Sequence, residues 1–143
     1  MRTPADCLSL ARDTRCGAAL GELARCPYPF VWRAVAANPH APPAVLVALT
    51  TARSSAWADN GLLRLLAAHP NADRRVLRAV LRATAAGLTE GERPYAAVLV
   101  LAEREELAVA EVAPLGALRG ASARLRRGLT RRLAARGAAA ERG

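Results

Sequence analysis

The chain has 143 residues, a net charge of +9 and 52% hydrophobic residues, but only 3% aromatic residues. This length is typical of one domain. No apolar run reaches the roughly 18 residues that a membrane-spanning helix needs. The chain has three cysteines, and this odd number argues against a scaffold of disulfide bonds. Acidic residues and a proline near the N-terminus interrupt any signal-peptide core, so we expect a cytoplasmic protein.

Alanine and leucine supply most of the apolar residues, and both favour helices. No segment alternates apolar and polar residues long enough to indicate a strand. In chain order, the predicted helices cover 4–12, 14–25, 29–37, 41–52, 61–68, 71–86, 94–103, 104–112 and 121–136. The sequence thus predicts an all-α fold with one domain over 1–137 and a frayed tail over 138–143.

Caps and helix breakers set these boundaries. Thr3 can cap the first helix and Asp13 the second, while the prolines after Cys26 stop it. Residues 53–60 are predicted to be an irregular connection that carries Trp57, with Asn60 capping the next helix. Gly87 is predicted to end the helix over 71–86.

Residues 31–49 recur at 62–80 with an offset of 31. The first copy reads VWRAVAANPHAPPAVLVAL and the second LLRLLAAHPNADRRVLRAV, which aligns Arg33 with Arg64 and Pro39 with Pro70. A recurring short helix, X-Pro-X turn and longer helix predicts stacked units, because neither helix can bury its apolar face alone. The pattern is clearest in 20–87 and fails after residue 87.

The segment LARCPYPFVWRAVAANPHAPPAVLVAL resembles the variant leucine-rich repeat family. The matching positions are Leu23, Ala24, Pro27, Val31, Arg33, Val35, Ala36, Asn38, Pro39, Pro42, Leu46 and Leu49. The second unit matches at Ala67, Pro70, Val76 and Leu77, and departs at His69 and Arg74. The resemblance implies a right-handed α-solenoid of stacked short and longer helices, similar in shape to HEAT repeats, and it says little about function.

Some members of that family carry an N-terminal iron–sulfur cluster. The resemblance therefore suggests Cys7, Cys16 and Cys26 as candidate ligands of such a cluster. Such clusters usually take four cysteines, often closely spaced, whereas these three are nine and ten residues apart. Buried, unligated thiols are the favoured interpretation. His40 and His69 sit in turns without an acidic cluster and make a weak metal site. We therefore expect no metal and no cofactor.

Enzyme signatures are missing from the sequence. It contains no nucleophile elbow, no glycine-rich phosphate loop and no zinc-binding helix motif. Glutamates 103, 105, 106 and 111 form one acidic stretch, which is more typical of a solvated face or of pairing with arginine than of an acid–base pair. The sequence therefore favours a binding protein over an enzyme.

All 21 basic residues are arginines, which is also typical of a GC-rich genome, so their distribution is more informative than their number. Residues 83–118 carry two arginines and six acids, and residues 119–143 carry eight arginines and one acid. Arg74, Arg78 and Arg82 recur every four residues beside Arg75, where like charges destabilise an isolated helix. The last helix carries Arg124, Arg127 and Arg131 beside a leucine stripe. We favour a basic helix that caps the solenoid, although an amphipathic basic helix can also suit a membrane surface, nucleic acid or a partner groove.

These features predict a protein–protein interaction or scaffold module. An arginine-lined face made by Arg33, Arg64, Arg75 and Arg78 would bind an acidic segment of a protein partner, with Arg74, Arg82 and Trp57 as further partner-binding residues. Two alternatives remain open: a nucleic-acid backbone binder of HEAT-like type, and a small iron–sulfur protein. The few aromatic residues argue against single-stranded nucleic acid.

Overall fold

A computed structural model describes the backbone of residues 3–142 and the side chains of residues 3–139. Every regular element in this range is helical. The elements are α1 (Pro4–Asp13), α2 (Gly17–Leu23), α3 (Pro29–Ala37), α4 (Pro43–Leu49), α5 (Ala56–Ala68), α6 (Arg74–Thr89), α7 (Tyr95–Glu103), α8 (Val109–Val112), a 3-10 helix (Ala113–Ala117) and α9 (Ala123–Arg142). The prediction of an all-α fold is confirmed for the part of the chain that the structure describes.

Local caps explain several of these boundaries. The Thr3 hydroxyl accepts from Asp6 N at 3.1 Å, and the Asp6 carboxylate accepts from Thr3 N at 3.1 Å, which closes a capping box at α1. At the end of α6, Gly91 has a φ of 89°, which glycine adopts without strain. Glu92 N then donates to Gly87 O at 2.8 Å and Gly91 N to Leu88 O at 3.2 Å, the bonding pattern of a Schellman motif.

The helices form two rows. Helices α1, α3, α5, α7 and α9 contact each other in succession, and α4 contacts both α2 and α6 in the second row. Leucine and valine side chains fill the space between the rows. Fully buried members include Leu20, Val35, Leu46, Leu66, Leu77 and Leu101. The core is thus continuous from α2 to α7, and each helix buries its apolar side against neighbours on the same and the opposite row.

The turns that join the rows share one backbone bond. The residue after α3, α5 or α7 accepts, through its carbonyl, from the N–H three positions later. The pairs are Asn38 with Ala41 at 3.1 Å, His69 with Ala72 at 3.0 Å, and Arg104 with Leu107 at 3.2 Å. The third turn falls 35 residues after the second and contains no proline. Its geometry is the same although the sequence pattern fails there.

Polar side chains also connect each turn to the one before it. Asn38 Nδ2 donates to the carbonyls of Ala11 and Thr14, both at 2.9 Å. His69 is buried, and its Nε2 lies 2.8 Å from Asn38 O while Asn71 N donates to its Nδ1 at 3.0 Å. Since Nδ1 accepts, Nε2 carries the proton, and the ring is fixed in one tautomer.

Two arginines continue these connections toward the C-terminus. Arg104 Nη1 donates to the carbonyls of Ala67 and His69 at 3.2 and 3.1 Å, and its Nη2 donates to Ala72 O at 2.8 Å. Arg136 on α9 donates in the same way to Ala102 O at 3.3 Å and to Leu107 O at 2.5 Å. Polar side chains therefore donate to backbone carbonyls at the turns that follow α1, α3, α5 and α7, which gives these carbonyls hydrogen-bond partners.

Several predicted boundaries were wrong. Asp13 is the last residue of α1, not the cap of α2. Helix α5 begins at Ala56, so Asn60 lies inside it; the Ser55 hydroxyl caps this helix by accepting from Ala58 N at 3.2 Å. Gly87 is a buried residue within α6, which continues to Thr89.

The last two predicted helices also differ from the structure. The segment over 104–112 contains a turn before the short α8, because the backbone of Arg104 is extended, with φ −82° and ψ 113°, and ends α7. Helix α9 begins at Ala123 and extends past 136 to Arg142, so the backbone of residues 138–142 is helical. Gly143 lies outside the described residues.

Candidate partner-binding groove

Arg33 and Arg64 lie side by side on the row of odd-numbered helices. Arg33 is on α3 and Arg64 on α5, and both are exposed. They line one depression of about 320 Å³ together with Trp57. The sequence alignment had paired these two arginines, and the structure brings them to the same concave surface.

Exposed aromatic side chains stand beside these arginines. Trp57 is 79% exposed and Phe30 is 46% exposed, which is unusual for such large apolar groups. The Arg33 Cζ atom lies 6.0 Å from the centroid of the Trp57 ring, at the outer limit of a cation–π contact. Phe30 stacks on Tyr28 with ring centroids 5.6 Å apart. Trp57 lies on the first turn of α5 and not in an irregular insertion.

Two further depressions, each of about 360 Å³, adjoin the first one. Phe30, Arg33 and Trp57 border the central depression between α3 and α5. Arg12, Phe30 and Arg33 border the other, between α1 and α3. Arg33 lines all three depressions, so they form one continuous surface. We call it the arginine groove and define it by Arg12, Phe30, Arg33, Trp57, Arg64 and Arg93.

Arg12 and Arg93 were not identified from the sequence. Arg12 lies near the end of α1, outside the two aligned copies at 31–49 and 62–80, so the alignment does not pair it with Arg33. Arg93 lies in the loop before α7, outside any aligned segment. The repeat pattern pairs only equivalent positions, and therefore it could not detect residues that reach the groove from other positions.

The arginines of α6 belong to the other row and meet the chain's own acidic segment. Arg74 Nε donates to Glu106 O at 3.0 Å, and Arg78 Nε lies 2.8 Å from Glu111 Oε1. Arg75 and Arg82 are exposed on the same helix. The predicted face that combined α6 arginines with Arg33 is therefore split between two rows of helices.

The acidic stretch pairs with arginine, as the sequence indicated. Within the described residues, the salt bridges join Glu111 to Arg78, Glu106 to Arg104 and Glu103 to Arg132, at 2.8, 2.7 and 3.1 Å. The hydrogen bond from the Arg104 side chain is the main cause of a lowered pKa at Glu106. At Glu111 the pKa is lowered first by the hydrogen bond from Ala108 N and next by Arg78. Both carboxylates are thus held in the charged form.

Helix α9 packs its leucine stripe against α7 and the 3-10 helix. Leu125 and Leu129 are buried and Leu133 is half-buried. On the opposite side the three arginines predicted for the basic helix are exposed: Arg124, Arg127 and Arg131. Arg132 instead pairs with Glu103 on α7. The contacts are those of a terminal helix that covers the end of the core.

The three cysteines are free thiols. Cys7 and Cys26 are half-buried and Cys16 is exposed. His40 is exposed, whereas His69 is hydrogen-bonded between two turns. Over the described residues, histidine, cysteine and acidic side chains nowhere gather in groups of three that could hold a metal ion.

The helices of the described part are all too short or too polar to cross a membrane. No known protein family, curated protein or solved structure matches this chain.

Proposed function

We propose that this chain is a non-catalytic, cytoplasmic helical-repeat protein that binds an acidic segment of a protein partner in the arginine groove. The proposal includes a right-handed α-solenoid of the variant leucine-rich repeat or HEAT-like type. Two observations support that architecture. The odd-numbered helices contact one another in sequence, and the turns that follow α3, α5 and α7 share one hydrogen-bonding pattern. Stacked two-helix units produce both features.

The observation that carries the binding proposal is the position of Arg33, which borders three adjoining depressions beside the exposed Trp57. Arg12, Arg64 and Arg93 extend the positive charge to both sides of it. A single exposed ion pair contributes about 0–1 kcal/mol, so an extended acidic segment that meets several arginines is needed for useful affinity. Arginine and tryptophan are also the residues most enriched among those that dominate binding energy at interfaces.

The arginines of α6 are less suited to this role. Arg74 and Arg78 already contact Glu106 and Glu111, so a partner would have to displace the chain's own acidic segment. The α9 arginines line none of the three depressions that form the groove. We propose Arg33 and Arg64 as the central partner-binding residues, whereas Arg75 and Arg82 are exposed on α6 and lie outside the groove.

The test compares charge reversal in the groove with charge reversal elsewhere. The double variant Arg33→Glu/Arg64→Glu should weaken the binding of a fluorescein-labelled polyglutamate peptide at least tenfold, measured by fluorescence anisotropy at low ionic strength. The matched control, Arg124→Glu/Arg127→Glu on α9, changes the net charge equally and should stay within about twofold of the wild-type affinity. Equal losses in the two variants would show that only net charge matters, and the groove would then be excluded.

A second probe separates protein from nucleic acid. A labelled single-stranded oligonucleotide of similar length should bind more weakly than the peptide at about 150 mM salt. If the oligonucleotide binds more tightly, if its affinity falls steeply with salt, and if the groove variant abolishes it, the partner is a nucleic-acid backbone and the acidic-peptide proposal is wrong.

A further inference from the structure

The groove changes in character along its length. Its central depression is bordered mainly by apolar groups, with Phe30, Trp57 and Leu62 among them. The depressions on either side contain the additional arginines, Arg12 on one side and Arg64 and Arg93 on the other. A uniformly acidic segment would place a charged side chain against this apolar centre, so it does not match the groove along its whole length.

The central depression is also electrostatically compatible with an apolar guest. Asp59 borders it, but its carboxylate is turned to the loop, where it accepts from Ser54 N at 2.7 Å, and the residue is only 7% exposed. Arg33 at the edge is drawn over the Trp57 ring. The central depression is therefore lined by aromatic rings and aliphatic carbon atoms, and its charged groups lie at the rim.

From this arrangement we infer that the acidic segment carries one large apolar side chain, aromatic or leucine, that inserts between Phe30 and Trp57. The inference rests on the proposed function and specifies its ligand. Acidic residues of the segment would then lie on both sides of this anchor, facing Arg12 and Arg64 in the flanking depressions.

The spacing of the acids follows from the helix packing. The three depressions lie between successive helices of one row, and packed helices are about 8–10 Å apart. An extended peptide advances about 3.3 Å per residue. The acids therefore lie about three residues before and three residues after the anchor. Aromatic anchors in a central pocket with a charged rim are also the usual arrangement at protein interfaces.

Three synthetic peptides test the anchor. The first has a central leucine with a pair of glutamates starting three residues away on each side, separated by glycines. The second replaces the leucine with glycine. The third has the composition of the first, with the glutamates moved next to the leucine. We expect the first peptide to bind about tenfold more tightly than the second, since a buried leucine side chain contributes that much, and more tightly than the third.

Two variants locate the anchor site. Phe30→Ala and Trp57→Ala should each remove most of the advantage of the leucine peptide over the glycine peptide. Both side chains are exposed, so the variants should fold, which circular dichroism verifies. Val109→Ala removes an exposed apolar group on α8 and should keep the full advantage. Each variant is measured with both the leucine and the glycine peptide. Any change in Arg33 caused by the loss of the Trp57 ring affects both affinities and cancels in their ratio.

The outcomes distinguish this inference from the proposed function. If the leucine and glycine peptides bind equally, and Arg33→Glu/Arg64→Glu still abolishes both, the anchor is wrong and the groove proposal stands. An advantage that persists in both Phe30→Ala and Trp57→Ala would also overturn the anchor site. If none of the peptides binds the wild-type protein at millimolar concentration, the proposed function and the inference both fail.

Discussion

Arg104 is expected to be among the most important polar residues for the stability of this fold. It joins the turn after α7 to the turn after α5 through bonds to three backbone carbonyls, and its side chain is only 18% exposed. Arg104→Met keeps the aliphatic stem but removes all of these bonds. The variant therefore isolates the polar connection between two turns from the packing of the side chain.

The expected loss can be worked out from these contacts. A hydrogen bond from a charged donor contributes about 1.5–3 kcal/mol, but the three bonds share one guanidinium and do not add fully. Water can reach part of the vacated site and compensates some of the loss. The salt bridge to Glu106 adds little, since that side chain is 43% exposed. We expect Arg104→Met to lower the free energy of unfolding by about 3 kcal/mol, or the Tm by about 10 °C.

Urea unfolding followed by circular dichroism at 222 nm measures this loss. Arg104→Lys retains the charge, but a single ammonium cannot reach all the carbonyls that the planar guanidinium spans, so it should recover less than half of the loss. Arg75→Met, at an exposed arginine of α6, is the control and should change the free energy of unfolding by less than about 0.5 kcal/mol. A similarly small effect of Arg104→Met would refute the importance of the turn-to-turn bonds.

Two further predictions concern the C-terminal half. A Cβ atom on Gly120 would lie 2.0 Å from Leu88 O, so Gly120→Ala should lower the free energy of unfolding by about 2 kcal/mol or more. A Cβ atom on Gly137 of α9 would lie in open space, so Gly137→Ala should raise the free energy of unfolding by roughly 0.5–1 kcal/mol. Equal effects in thermal unfolding would contradict the close approach. The lowered pKa of Glu106 contributes stability above the usual glutamate pKa of about 4.3, and this stability is lost as the pH falls through the lower folded value. Glu106→Gln should therefore show a shallower decline in the free energy of unfolding between about pH 5 and pH 3 than the wild type. Parallel declines in the two proteins would show that the Arg104 contact does not stabilise the charged carboxylate.

The fold class was accessible from the sequence because the signals for helices are local. Thr3 and Asp6 form their capping box within one turn, and Pro29 begins α3 where the sequence placed it. The boundaries that failed depend on other parts of the chain. Asn60 is a residue type that often caps helices, but Ser55 caps this helix five residues earlier. The buried Asp59 accepts a hydrogen bond from Ser54 N in the preceding loop.

The candidate site was only partly accessible. The offset of 31 residues paired Arg33 with Arg64, and both side chains line one depression beside the contacting helices α3 and α5. It could not place Arg12 or Arg93 in the groove, since their positions are not equivalent. The predicted arginine-lined face also grouped Arg78 with Arg33 and Arg64, although the Arg78 side chain pairs with Glu111.

The sequence by itself determined that the chain is helical, where α1 and α3 begin, and that the turns that start at Asn38 and His69 are alike. These properties depend on caps, prolines and apolar spacing within a few residues. Only the tertiary structure decided that a third equivalent turn forms at Arg104, and that an apolar cleft separates the arginines of the groove. Both depend on contacts between residues that are far apart in the sequence, from 24 positions for Arg33 and Trp57 to 37 for Ala67 and Arg104. The residues of one helix do not specify which side chains its neighbours place beside it.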